Sequence, residues 1–130
     1  MKTSEIIKHV REDGGITLDG ALVQSVSLDS GYMVSFQRGG SINVPMCDHA
    51  AVNAALELAK RELLAIAEYP EIDIDRLYVG AWLDENEYLH IDVSEHVIGL
   101  EKALHAGSAR MQKAIYSWRD QVAIPVSKSA

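Results

Sequence analysis

A change in the spacing of apolar residues constrains the fold of this chain more than any other feature. From residue 48 to residue 68 they recur every three or four positions, which predicts one amphipathic helix with Asp48 as its N-cap and Pro70 beyond its end. Further along they alternate with polar residues, which predicts two strands, 77–83 and 88–93, joined as a hairpin. A long helix beside an antiparallel hairpin is typical of the α+β class.

Shorter segments complete the predicted secondary structure. The pattern predicts two further helices, a second hairpin that turns at Gly39-Gly40, and additional strands before and after them. The approximate bounds are 3–13 and 100–111 for the helices, 31–36 and 41–44 for the arms of the hairpin, and 16–28, 114–118 and 122–126 for the strands.

Together these elements predict a largely antiparallel sheet packed on one long amphipathic helix and shorter helices. The chain has 130 residues and no Pro- or Ser-rich linker, so a single α+β domain over residues 1–130 is expected. Two subdomains, if present, would join near residues 69–75. Pro125 is expected on an edge strand, because proline has no N–H group for an inner ladder.

Composition narrows the class of function. One cysteine, Cys47, cannot form an internal disulfide, and the sequence shows no secretory signal pattern, so a cytoplasmic protein is expected. No apolar run approaches the roughly 20 residues of a membrane-spanning helix, so no membrane partner is expected. The formal net charge of −7 disfavours direct binding to DNA or RNA, which depends mainly on lysine and arginine.

The negative charge is concentrated in one stretch, residues 71–95, which we term the acidic segment. It holds eight acidic side chains and one basic side chain, whereas the rest of the chain holds eleven of each. One interpretation is a solvated surface that keeps the protein soluble. The other is a partner surface that complements a basic groove on another protein and speeds association with it.

Alternation along the predicted hairpin assigns different roles to its two faces. One face carries the residues expected in the core, which are Val79, Ala81, Leu83, Leu89, Ile91 and Val93. The other face and the turn combine large aromatics with acids, as in binding hot spots, where aromatics lose water and rim charges orient the partner. The expected partner-binding residues are Trp82, Asp84, Glu85, Glu87, Tyr88, His90 and Asp92.

No catalytic, cofactor or metal site is expected. Gly14-Gly15 and Gly39-Gly40 do not lie between a strand and a helix, as phosphate-binding glycines do. His90, Asp92 and His96 match no closed zinc spacing. The enzymatic alternative is a small enzyme acting through His90 and Asp92, and it predicts a concave pocket at these residues.

Two stretches of the sequence carry a pattern known from a protein family. The first is 29–35, Asp-Ser-Gly-Tyr-Met-Val-Ser, and the second runs from residue 78 to residue 118. The second is marked by Val79-Gly80-Ala81-Trp82-Leu83-Asp84, Leu89-His90-Ile91-Asp92-Val93-Ser94, Lys102-Ala103-Leu104 and Gln112-Lys113-Ala114-Ile115-Tyr116. This succession, roughly a third to half of the chain, resembles small uncharacterised phage and prophage proteins and segments of mobile-element polyvalent proteins. The resemblance implies a mobile-element origin and the host cytoplasm, and it carries over no catalytic residue.

The resemblance and the acidic segment together imply a function. Mobile elements use small acidic proteins, including anti-CRISPR proteins that occupy basic nucleic-acid channels, to block host defence. We therefore expect a non-enzymatic anti-defence inhibitor that binds a basic, nucleic-acid-handling host complex through its acidic and aromatic face. The alternative is a phage accessory or assembly protein that self-associates, for example as a homodimer, through the hairpin edge or the long helix. A monomer that exposes Trp82 and Tyr88 favours the inhibitor, and a stable oligomer that buries residues 78–92 favours the alternative. If the aromatics instead form a second layer of core beneath a helix, the predicted binding surface is weakened.

Overall fold

The computed structural model describes residues 1–36 and 42–126 and has an α+β fold. Within these ranges three α-helices lie beside a seven-stranded sheet whose strand pairings are all antiparallel, which confirms the predicted fold class. The helices are α1 (Thr3–Asp13), α2 (His49–Ile66) and α3 (Leu100–Ala109), and a short 3-10 helix spans Ile74–Arg76. The strands are β1 (Gly15–Asp19), β2 (Tyr32–Ser35), β3 (Ile42–Pro45), β4 (Leu77–Leu83), β5 (Tyr88–Val97), β6 (Ala114–Ser117) and β7 (Val122–Pro125).

The β4–β5 hairpin lies inside the sheet, where its alternating pattern places a core on one face. Its register runs from Leu77 opposite Glu95 to Leu83 opposite Leu89. β1 pairs with the other side of β4, and β2 and β3 both pair with the other side of β5. β6 follows β2, and β7 follows β6 at the edge of the sheet, where Pro125 has its expected position.

The predicted hairpin between residues 31–36 and 41–44 is wrong. Both arms are strands, but β2 and β3 lie end to end along the same side of β5, each pairing with a different half of it. Pairing with β2 also carries β5 past the predicted end at Val93 to Val97. Alternation identifies a strand without identifying its hydrogen-bonding neighbour, and a long strand has room for two short ones. The predicted turn at Gly39-Gly40 lies outside the described residues.

Helices α1 and α2 cover one face of the sheet and build the main core. Helix α2 begins where predicted, because the Ala51 backbone N–H donates to the Asp48 carboxylate at 3.0 Å. Five of the six hairpin residues predicted for the core are buried, and the sixth, Leu83, is half-buried and packs against it. The main buried residues contributed by the two helices are Ile6, Val10, Val52, Ala55, Leu56, Ala59 and Leu63.

Helix α3 covers the same face of the sheet beside β2 and β6. Ala103 of α3 is buried in a second apolar cluster with Val34 of β2 and Ile115 of β6. Val34 lies opposite Glu95, two residues beyond Val93 on the same strand, so it points to the face that α2 covers. The three helices therefore leave the opposite face without a helix from residues 1–36 and 42–126, and we term it the helix-free face.

The segment after β1 turns back and then crosses to β2. The turn is held by the Asp19 carboxylate, which accepts hydrogen bonds from the backbone N–H groups of Val23 and Gln24 at 3.0 and 3.4 Å. The following residues make only one isolated bridge, between Ser25 and Leu18, so the strand pattern predicted within 16–28 yields one strand, β1.

The crossing segment is held against the helix-free face near its end. His96 lies on this face by the alternation of β5, and its Nε2 is 2.7 Å from the Ser30 carbonyl oxygen. Gly31 then adopts a φ of +82°, and a Cβ at that position would collide with the His96 imidazole. The backbone conformation favours glycine there, and any side chain would have to displace His96 from its contact with Ser30. None of the helices in the described ranges is both long and apolar enough to cross a membrane.

Candidate functional site

Two large aromatic side chains of the β4–β5 hairpin are exposed to solvent. Trp82 retains 48% and Tyr88 45% of its accessible surface, and both belong to the helix-free face. The Trp82 ring stacks on the His90 ring opposite it, with the ring centres 3.9 Å apart and the planes 6° from parallel. A stacked indole has fewer accessible rotamers than a free one, so Trp82 presents its outer surface in a fixed orientation.

Asp84 organises the turn and positions His90. Its Oδ1 accepts hydrogen bonds from the backbone N–H groups of Asn86 and Tyr88, at 2.8 and 3.0 Å. Its Oδ2 lies 2.7 Å from His90 Nε2. The hydrogen bond with His90 and then the one from the Tyr88 backbone hold the pKa of Asp84 below its ordinary value. Asp84, predicted as a partner contact, is thus used mainly within the turn.

The two glutamates of the turn remain at the surface. Glu85 and Glu87 are both exposed, and Glu87 has a φ of +65° where the chain re-enters β5. The Glu87 carboxylate lies 3.6 Å from the Arg11 guanidinium, in an ion pair whose side chains are 65% and 47% exposed. Such an exposed pair is weak and leaves both glutamates available to a partner. We term Trp82, Glu85, Glu87 and Tyr88 the hairpin patch.

The Asp92 side chain lies on the helix-free face, away from the turn and beside Ser35 of β2. Its Oδ2 accepts a hydrogen bond from the Ser35 hydroxyl at 2.8 Å, and the Ser94 hydroxyl also bonds to it. Burial raises the pKa of Asp92, and the two hydroxyls only partly oppose this effect. Gly80 lies directly opposite on β4, where a Cβ would come within 3.1 Å of Asp92 Oδ1. The glycine leaves room for the carboxylate.

A concave cavity of about 840 Å³ opens over the helix-free face. Its floor contains the hydroxyl side chains of Thr17, Ser35 and Ser94 together with Asp92, and the crossing segment lines one side through residues 25–27. Aromatic side chains from both ends of the sheet, Trp82 on β4 and Tyr116 and Trp118 around β6, form walls. We term this space the sheet cavity.

Only one of the two residues of the predicted enzymatic alternative lines the sheet cavity. Asp92 lines it, as that alternative requires, but His90 is not among the lining residues and is engaged by Trp82 and Asp84. A histidine and a carboxylate that face a substrate together are needed for paired acid and base work. Among the residues that the structure describes, no group of three or more His, Cys, Asp or Glu side chains is arranged to hold a metal ion.

The sequence interpretation missed the hydroxyl groups around Asp92 and the aromatic wall from β6. Ser94 was detectable, since it follows Asp92 by two residues on one strand and therefore shares its face. Ser35 and Trp118 were not, because their strands reach the site through pairings that alternation does not specify. Trp118 also has a buried indole N–H with no hydrogen-bond partner among the described residues.

Comparison of the chain with protein-family models, with curated proteins and with solved structures found no match in any of the three.

Proposed function

We propose that this protein is a non-enzymatic inhibitor, of the anti-CRISPR kind, that binds a basic surface of a nucleic-acid-handling host complex through the hairpin patch. The observation that carries the proposal is the exposure of Trp82 and Tyr88 within the acidic segment. Exposed tryptophan and tyrosine are uncommon on surfaces without a partner and are enriched where a few residues supply most of the binding energy.

The hairpin patch is preorganised for such a contact. Trp82 is stacked on His90, and His90 is fixed in turn by Asp84, so little side-chain entropy remains to be lost on binding. The turn that carries Glu85 and Glu87 is closed by two backbone hydrogen bonds to Asp84. A partner therefore meets an ordered aromatic surface with two carboxylates at its rim.

Charge supports a basic partner. The acidic segment carries the whole formal imbalance of the chain, so its field attracts a cationic surface and repels nucleic acid. Asp84 and Asp92 are turned into the protein by their hydrogen bonds, which leaves Glu85 and Glu87 as the carboxylates that would replace phosphates. The resemblance to phage and mobile-element proteins supports a defence complex as the target.

The test is an affinity pull-down from a bacterial host lysate, read by mass spectrometry. Wild type is compared with the double variant Glu85→Lys, Glu87→Lys. The matched control is the double variant Glu68→Lys, Glu101→Lys, which changes the net charge equally at exposed acids outside the hairpin patch. Wild type and control should recover the same basic complex, and the hairpin variant should lose it. The recovered complex should then release a labelled oligonucleotide when wild type is added.

Two results would overturn the proposal. The first is equal recovery by all three proteins, which would assign the charge to solubility. The second is recovery of a complex that keeps its oligonucleotide when saturated with the protein, because an inhibitor that replaces phosphates competes with nucleic acid. A further variant, Trp82→Ala, should weaken capture without changing the net charge.

One observation favours self-association as a second candidate function. Helix α2 exposes Leu58 and Leu64, which retain 53% and 49% of their accessible surface, on the side away from the core. Apolar side chains on an outer helix face are suited to packing against a second copy. Sedimentation equilibrium should then show a dimer that Leu58→Lys, Leu64→Lys converts to monomer, whereas the inhibitor function predicts a monomer for both proteins.

A further inference from the structure

The sheet cavity contains a carboxylate for which no ion pair with a lysine or arginine is seen among the described residues. Asp92 lies on its floor, and among the described residues that line the cavity there is no lysine or arginine. The carboxylate accepts hydrogen bonds from the Ser35 and Ser94 hydroxyls, which are neutral donors. Partial burial of a carboxylate among neutral donors is unfavourable, and a bound cation would offset that cost.

We propose that the sheet cavity binds a small organic cation, an ammonium group on an aromatic or aliphatic body, with Asp92 as its counter-ion. The floor supplies the anion, and the indole and phenol walls supply surfaces that attract both an apolar body and a positive charge. This site does not depend on the proposed function, because that function rests on the turn glutamates and this one on Asp92.

The geometry of the floor keeps Asp92 available to a ligand. Ser35 and Ser94 donate to the carboxylate and fix its orientation, and Gly80 on the neighbouring strand leaves room for Oδ1. Charge-assisted hydrogen bonds from an ammonium group are stronger than those from neutral donors, so an ammonium adds attraction that the hydroxyls do not provide. The volume of about 840 Å³ lies within the range of small-molecule sites.

The other charged groups around the site are compatible with a cation. Glu62 of α2 raises the pKa of Asp92 through like-charge repulsion, and His90 of β5 lowers it. At the α1 side of the cavity, His9 Nε2 and Asp13 Oδ2 form a pair 3.0 Å apart. The described residues that line the cavity thus include two carboxylates, Asp13 and Asp92, and no lysine or arginine, which favours a cationic ligand over a phosphate or a carboxylate.

The experiment uses three probes that differ mainly in charge: 2-phenylethylamine, 2-phenylethanol and phenylacetate. Each is titrated into the ¹⁵N-labelled protein and followed by the amide resonances of Ser35, Asp92 and Ser94 and by the indole resonance of Trp118. We expect saturable shifts with the amine, an affinity at least about tenfold lower for the alcohol, and no saturable shifts with phenylacetate.

Asp92→Asn is the decisive variant, and Glu68→Gln is its matched control. Both remove one negative charge with little change in shape, but Glu68 is exposed after helix α2 and does not line the cavity. Asp92→Asn should weaken amine binding at least about tenfold, and Glu68→Gln should leave it unchanged. Equal effects of both variants, equal affinity for amine and alcohol, or no saturable shifts with the amine would overturn the proposal.

A pH titration of the wild type tests the site even where Asp92→Asn fails to fold. The amine stays protonated from about pH 4 to about pH 8, so a change in affinity across this range reports on the protein. Affinity should rise with pH as the Asp92 carboxyl ionises, because only the carboxylate attracts the ammonium group. Affinity that is constant across the range would overturn the assignment of Asp92 as the counter-ion.

Discussion

The two faces of the β4–β5 hairpin differ in chemistry although their residues alternate along the same two strands. On the helix-covered face, Leu89, Ile91 and Val93 are fully buried against α1 and α2. On the helix-free face, the intervening residues His90 and Asp92 are only half-buried and hydrogen-bonded to neighbouring side chains. One face therefore supplies the packing of the core, while the other leaves aromatic and polar side chains accessible to solvent.

The largest expected effect tests which face supplies the stability. Ile91→Ala should lower the free energy of unfolding by about 3 kcal/mol. The side chain is fully buried, and its neighbours relax only partly into the cavity that the substitution leaves. Trp82→Ala, on the opposite face of the neighbouring strand, should cost about 1 kcal/mol, mainly the lost stacking on His90. Urea unfolding measures both free energies, and they can be compared if the two variants have the same m-value. Equal losses would make the helix-free face part of the core.

The next effect concerns the segment that crosses the helix-free face. Gly31→Ala should cost at least about 2 kcal/mol, since the new Cβ would clash with His96 in addition to the strain of a positive φ. Gly14→Ala is the matched control, because Gly14 has a φ of +86° but no atom within 4 Å of the added Cβ. It should cost about 1 kcal/mol. If thermal unfolding gives equal losses, His96 does not hold the crossing segment.

A smaller effect, with opposite signs at two carboxylates, is expected from pH. Because the pKa of Asp92 is higher in the folded protein than in the unfolded chain, folding disfavours the ionised carboxylate. The resulting loss of stability is absent below the pKa of Asp92 in the unfolded chain, and it grows as pH rises through the pKa in the folded protein. Asp92→Asn should therefore be more stable than wild type at neutral pH and lose that advantage in acid. Asp84, whose pKa is lowered, stabilises the fold above its unfolded pKa and loses this contribution as pH falls through the folded one.

Urea titrations of wild type, Asp92→Asn and Asp84→Asn from about pH 3 to about pH 8 check both signs. Asp84→Asn should be less stable than wild type at neutral pH, because an amide binds His90 less strongly than a carboxylate does. Stability differences of the same sign for both variants would contradict the assignment of one carboxylate to the fold and the other to the cavity.

The smallest expected effect on stability is at the turn. Glu85→Lys, Glu87→Lys should change the free energy of unfolding by no more than about 0.5 kcal/mol, because both side chains are exposed and the Arg11 ion pair is weak. The same variant is expected to lose its protein partner. A loss of stability large enough to unfold the protein would instead make the turn glutamates structural.

The sequence predicted the elements whose evidence is local. Helix α2 begins at the predicted Asp48 cap, and the β4–β5 hairpin has the predicted faces, because periodicity and capping depend on neighbours a few residues away. It did not predict that β2 and β3 share one side of β5, since strand partners are chosen by long-range packing.

The candidate site divides in the same way. Trp82 and Tyr88 are exposed, which is the condition on which the predicted partner surface depended. Two of the predicted contacts also have partners within the protein, since Asp84 is bonded within its turn and Asp92 lies in a cavity to which other strands contribute. Residue type indicates that a carboxylate is present, but its availability depends on the donors that the fold brings to it.

By itself, the sequence determined helix α2 and the β4–β5 hairpin, the two chemically distinct faces of that hairpin, and the position of the negative charge. These properties follow from the order of side chains along the backbone. Only the tertiary structure decided that all three helices cover one face, that Ser35 and Ser94 surround Asp92, and that aromatic walls from distant strands enclose a cavity above it. The physical reason is that burial and hydrogen bonding between distant segments depend on the packing of the whole chain.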